Sequence, residues 1–159
     1  MRKWLLIALA VIVLDQITKL LIQSHLQFGE MVSLIPGCFS FTLTYNMGAA
    51  FSFLANAGGW QRHFFTVLAL AVSVFIIVTL KKHHQQTRFS MALALILGGA
   101  LGNVIDRVSY GHVIDFILVY WKNWYYPAFN IADSAICIGA VLLVLDSIAR
   151  PQTSREKPL

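Results

Sequence analysis

Charge is scarce in this chain: only 12% of its 159 residues are Asp, Glu, Lys or Arg, and seven are acidic. A soluble domain of that length could not hide the 58% of residues that are hydrophobic. An ordinary water-soluble globule is therefore excluded, and lipid must serve as solvent. Cysteine is almost missing as well. Cys38, in a loop, and Cys137, in an apolar segment, make neither a CxxC pair nor a metal-ligand spacing, so two free thiols are expected. No HExxH is present for zinc hydrolysis. His25, His63, His83, His84 and His112 all fall in loops or at segment edges, which argues against a serine–histidine relay inside a bilayer. Internal repeats and low-complexity stretches are absent too.

Long apolar runs are what the chain does have. Residues 4–22, 64–80, 89–108 and 128–148 form four segments of 17 to 21 residues, against the roughly 20 that span a hydrocarbon core as a helix. One bundle of four helices, residues 1–150 as a single domain, follows. Arg2 and Lys3 precede the first segment, Lys81, Lys82 and Arg88 join the second to the third, and Arg150, Arg155 and Lys157 follow the fourth. The other two loops hold Arg62 and Lys122 alone, apart from Arg107 at a helix end. The positive-inside rule then puts both termini in the cytoplasm. The net charge of +5 reflects this topology; no basic face interleaved with exposed aromatics points to nucleic acid. Residues 1–14 have the basic start and apolar run of a signal peptide, but Asp15, Gln16 and Lys19 interrupt where a cleavage site would fall, so a retained helix is expected. Leu34-Ile35-Pro36-Gly37-Cys38 looks faintly like a lipoprotein processing site, yet no basic-plus-apolar leader directly precedes it. Residues 151–159, polar with two prolines, read as a disordered cytoplasmic tail.

The long loop of residues 23–63 has its own pattern. Phe39, Phe41, Leu43 and Tyr45 alternate with Ser40, Thr42 and Thr44, a strand signal. A small sheet on the outer membrane surface, about residues 31–56, is expected, with room for a short helix after Gly48. The aromatic stripe either packs on the bundle or meets substrate. In the second outer loop, residues 109–127, Tyr110, Tyr120, Trp121, Trp124, Tyr125 and Tyr126 read as headgroup anchors.

Five of the seven acids lie in or beside apolar segments: Asp15, Asp106, Asp115, Asp133 and Asp146. Intramembrane acids are expensive and usually face a polar cavity. Asp15 and Lys19 share a helix face, and a buried pair of this kind holds helices in register without doing chemistry. Asp146 lies four residues before Arg150, an interfacial ion pair. Gly98 and Gly102 give a small-xxx-small spacing that lets a neighbouring helix approach. Asn103, Asp106 and Arg107 continue as a polar stripe, with Asp106–Arg107 readable as an interfacial pair and Asn103 pointing to a polar centre. Asp115 and Asp133 have no basic residue at i±3 or i±4. They flank one loop near the start of the last segment, and two carboxyls brought together where water is scarce can share a proton, as in an aspartyl protease. With the last helix starting near Tyr126 or Pro127, Asp133 falls about two turns in. Membrane carboxylates also relay protons, so a small proton-coupled transporter or channel subunit is the alternative, and a non-catalytic lipid-binding assembly factor a remoter one.

Five blocks together carry a resemblance: Asp15-Gln16-Ile17-Thr18-Lys19, Tyr45-Asn46-Met47-Gly48-Ala49-Ala50-Phe51-Ser52, Gly98-Gly99-Ala100-Leu101-Gly102-Asn103-Val104-Ile105-Asp106-Arg107, Val113-Ile114-Asp115-Phe116, and Phe129-Asn130-Ile131-Ala132-Asp133-Ser134. In this order, over nearly the whole chain, they resemble the bacterial lipoprotein signal peptidases (signal peptidase II). The resemblance implies a mainly α membrane protein, a four-helix transmembrane bundle with a small extracytoplasmic β-cradle, in the bacterial inner membrane. It implies an aspartyl endopeptidase that removes signal peptides from diacylglyceryl-modified prolipoproteins just before the lipidated cysteine, at the periplasmic face. Asp115 and Asp133 become the catalytic dyad. Asn46, Asn103, Arg107, Asn130 and Ala132 would line the pocket, with Gly48 as a loop joint and Asp15, Lys19 and Asp106 in support. No metal or organic cofactor is required, the partners are the prolipoprotein and membrane lipid, and a monomer is expected.

Overall fold

Four apolar helices and a small antiparallel sheet make up residues 1–48 and 59–149, which the computed structural model describes. The helices are α1 (Arg2–His25), α2 (Trp60–His83), α3 (Thr87–Ser109) and α4 (Ile131–Ala149), each long and apolar enough to cross a bilayer. The first three overrun the expected apolar segments at both ends, because a helix keeps its own backbone bonds satisfied past the last apolar residue. The expected short helix after Gly48, the Asp146–Arg150 pair and the tail lie outside the described residues.

α3 is the hub. It packs against α1, α2 and α4, and most of it is buried, whereas the other three helices bury only a stripe. In lipid there is no hydrophobic drive between helices, so small residues that allow close approach decide which faces meet. The expected Gly98 and Gly102 face α1: a Cβ at Gly98 would lie 2.7 Å from the Ala8 carbonyl oxygen. Gly99, one position round the helix, opens a second face, where a Cβ would run into the Ala132 carbonyl of α4. At the end away from the sheet, Trp4 Nε1 donates to the His84 carbonyl at 2.8 Å, and Trp4, Leu80, Leu93 and Leu97 form the apolar core.

The sheet caps the other end, in the order β1 (Met31–Ile35), β2 (Phe39–Asn46), β3 (Val113–Trp121), β4 (Trp124–Tyr125), antiparallel throughout. β2 is the strand its alternation predicts. β3 corrects the reading of residues 109–127 as an anchoring loop: it is the partner of β2, with Thr44 opposite Asp115 and Asn46 opposite Val113. Val113 through Phe116 are all buried, so both faces of this stretch are covered and no alternation marks it as a strand. A second correction concerns α4. The chain stays extended through Phe129, which bridges Ile117, and the helix starts only at Ile131. Asp133 therefore stands in the first turn of α4.

Candidate active site

Asp115 reaches its place through a tight exit from α3. Gly111, at φ +85°, turns the chain, a conformation that glycine adopts without cost. The Ile114 N–H then donates to Asp106 Oδ2 of α3 at 3.1 Å. β3 thus begins pinned to the helix that precedes it. Asp115 is 3% exposed, and its carboxyl is held by two amides: Asn130 Nδ2 donates to Oδ1 at 2.8 Å and Asn46 Nδ2 to Oδ2 at 3.1 Å. Thr44 Oγ1 donates to the Asp115 carbonyl at 3.1 Å. Burial, and then the Asp133 carboxylate, push the Asp115 carboxyl up to about 7, against the opposing pull of the Asn46 amide.

Asn130 joins this carboxyl to the next. It is the N-cap of α4: its Oδ1 accepts the Asp133 N–H at 2.8 Å, satisfying a peptide donor that the helix leaves open. That acceptance fixes which way the amide points, so Nδ2 faces Asp115. One side chain thereby caps the helix bearing Asp133 and grips the Asp115 carboxyl. Asp133 Oδ1 accepts from Asn103 Nδ2 at 2.8 Å. Its place in the first turn of a helix favours negative charge there.

Asp115, Asp133, Asn46, Asn103 and Arg107 face one cavity of about 780 Å³. Its far wall is apolar, with Phe65, Leu68 and Val72 from α2 and Ile136 and Cys137 from α4. Arg107 Nη2 donates to the Gly48 carbonyl at 3.0 Å, and the Gly48 N–H donates to Asn46 Oδ1 at 2.9 Å. The rim of the cavity and the last described residue before 49–58 are therefore one hydrogen-bonded unit.

Behind the wall lie residues that do not touch the cavity. Asp15, Lys19, Asp106, Asn130 and Ala132 are buried there, so Asn130 and Ala132 stand behind the pocket that the resemblance has them line. Asp15 and Lys19 pair at 2.7 Å, as their spacing predicts, but Lys19 also reaches Asp106 at 2.8 Å. This replaces the Asp106–Arg107 pair read from the sequence. Neighbours on a helix do not face each other, and Arg107 turns instead to Gly48 and the cavity. Lys19 Nζ further donates to Asn103 Oδ1 at 3.1 Å. Among the described residues neither Asp115 nor Asp133 forms an ion pair. Asparagine amides fix a carboxyl's direction while favouring its ionised form less strongly than an adjacent cation would.

Sequence reading gave no role to Gln16, Thr44 or the α2 side of the cavity. Gln16 is a polar residue in a membrane helix, which is signal enough to ask for its partners. Phe65, Leu68 and Val72 carry no such mark.

A family model described as Signal peptidase (SPase) II matches residues 7–149. A lipoprotein signal peptidase of Neisseria meningitidis is 56% identical over 156 residues, covering 98% of this chain and 94% of that protein. A lipoprotein signal peptidase of Chromobacterium violaceum is 57% identical over 150 residues, covering 94% and 93% respectively. A solved structure described as a bacterial membrane enzyme, obtained by the in meso method, superposes with a TM-score of 0.86 at 30% identity, covering 100% of this chain and 95% of that one.

Proposed function

The chain belongs to the signal peptidase II family, and on that premise we propose that it works as an aspartic endopeptidase on diacylglyceryl-modified prolipoproteins. Asp115 and Asp133 are its catalytic pair. One, ionised, takes a proton from water; the other, protonated, donates to the scissile carbonyl oxygen, and cleavage falls just before the lipidated cysteine. The observation that carries this reading is the Asn130 bridge, 2.8 Å to the Asp115 carboxyl and 2.8 Å from the Asp133 N–H, behind the one cavity that both aspartates face. Asn46, Asn103 and Arg107 face that cavity and would hold the substrate backbone, while the apolar wall suits the hydrophobic stretch of a signal peptide. Gly48, tied to Arg107, would hold the backbone at the rim of the cavity beside the substrate. Asp15, Lys19, Asp106, Asn130 and Ala132 support the pair from behind. In this reading the enzyme is a monomer in the bacterial inner membrane, its termini are cytoplasmic, and the site opens at the periplasmic face.

The test is incubation of purified protein with a diacylglyceryl-modified prolipoprotein in detergent. The expected product begins at the lipid-bearing cysteine. An intact precursor would refute the assignment.

A further inference from the structure

The residue immediately before each aspartate hangs from a buried carboxylate. Ile114, preceding Asp115, gives its N–H to Asp106 Oδ2 at 3.1 Å, and Ala132, preceding Asp133, gives its N–H to Asp15 Oδ1 at 2.9 Å. Lys19 links those two carboxylates, at 2.7 Å to Asp15 Oδ2 and 2.8 Å to Asp106 Oδ2. The spacing of the two aspartates is thus transmitted through one cross-linked pair of carboxylates on α1 and α3. An ammonium is a compact point charge and sets a distance more readily than an orientation.

Orientation comes from a second group. Gln16 Nε2 lies 2.8 Å from Asp106 Oδ1, 3.2 Å from Asp15 Oδ2 and 3.3 Å from the Gly102 carbonyl. With Gln16 on Oδ1 and Lys19 and Ile114 on Oδ2, the Asp106 carboxylate is held at both oxygens. Its terminal torsion, which is otherwise broad and two-fold, is fixed. We propose that Gln16 is a positioning residue of the reaction, bracing the Lys19-linked carboxylates from which Asp115 and Asp133 are suspended. This rests on the reading of Asp115 and Asp133 as the catalytic pair.

A glutamine that merely glued α1 to α3 would set how much enzyme folds. A brace sets how strongly the two carboxyls feel each other, and so the separation of the two limbs of the pH–rate profile. Gln16→Met keeps length and neutrality and leaves in place Lys19 and Arg107, whose charges act on both aspartates, and His112, which faces Asp106. In the full-length enzyme with lipidated precursor, it is expected to lower kcat by about tenfold, well within what small misplacements cost. KM should be unchanged, and the limbs of the kcat profile should draw together. A wild-type profile, or a loss confined to Tm, would overturn the proposal. Should Gln16→Met not accumulate, Asp106→Asn serves: it keeps an oxygen for Ile114, loses the ion pair with Lys19, and must also narrow the profile, unchanged limbs there being equally fatal. Asp115→Asn and Asp133→Asn run alongside. If these retain full rate, the catalytic pair itself is wrong and the brace falls with it. If they are inactive while Gln16→Met behaves as wild type, only the brace fails.

Discussion

A Cβ at Gly102 would stand 2.8 Å from Asp15 Oδ2. Two helices meet there at a polar point, and only glycine leaves room for the carboxylate that receives the Ala132 N–H. Gly102→Ala must push Asp15 aside or part α1 from α3. Either shift is relayed to the start of α4, where Asp133 stands. The expected result is a loss of at least about tenfold in kcat/KM, since misplacement by a fraction of an ångström to one ångström costs up to about a hundredfold. Wild-type kcat/KM in the alanine variant would show that this close contact does not govern the site.

The pH dependence has a defined sign. Burial and Asp133 push the Asp115 carboxyl up to about 7, and the Asn46 amide pulls it back by favouring the ionised form. A pair that works with one proton loses activity as pH rises through the upper step. Asn46→Ala removes a donor to the ionised form, so the alkaline limb of kcat/KM should move to higher pH. A limb that moves to lower pH would mean that Asn46 acts in some other way.

In the proposed function, lipid recognition is what would separate this chain from a protease of ordinary peptides. Each acyl methylene buried is worth about 0.8 kcal/mol, so an unmodified precursor should have a kcat/KM lower by at least about tenfold. Equal turnover of lipidated and unlipidated precursors would remove the acyl chains from the recognition scheme.

Orientation is tested by reporter fusions. A reporter active only outside the cytoplasm should work at Gly58 or Lys122 and fail at Gln85 or after Leu159, following the basic residues. The reverse pattern would put Asp115 and Asp133 on the wrong side for a signal peptide that has crossed the membrane.

Much of the fold was legible because the helices are marked by length and apolarity, and β2 by the alternation of Phe39, Phe41, Leu43 and Tyr45 with polar residues. β3 was not, because its buried start carries apolar residues on both faces and reads as a continuous run. The late start of α4 was hidden for a related reason: Phe129 is apolar, yet it bridges Ile117 instead of opening the helix. In the site, Asp115 and Asp133 stood out as unpaired acids in apolar surroundings. The Lys19–Asp106 pair did not, since its members lie on different helices and the sequence offered Arg107 as a nearer partner. Gln16 sat inside a recognised motif without a role, and only the distances to Asp106, Asp15 and Gly102 give it one.

The most direct measurement is cleavage of a diacylglyceryl-modified prolipoprotein by the purified wild-type protein and by Asp115→Asn and Asp133→Asn, with folding checked by thermal unfolding in detergent. An amide keeps the shape of each side chain but cannot ionise or pass a proton. The two variants should be folded and slower by at least about a hundredfold each, acid–base catalysis alone supplying roughly 10²–10⁴. A folded variant that cuts within tenfold of the wild-type rate would contradict an aspartic mechanism at this pair.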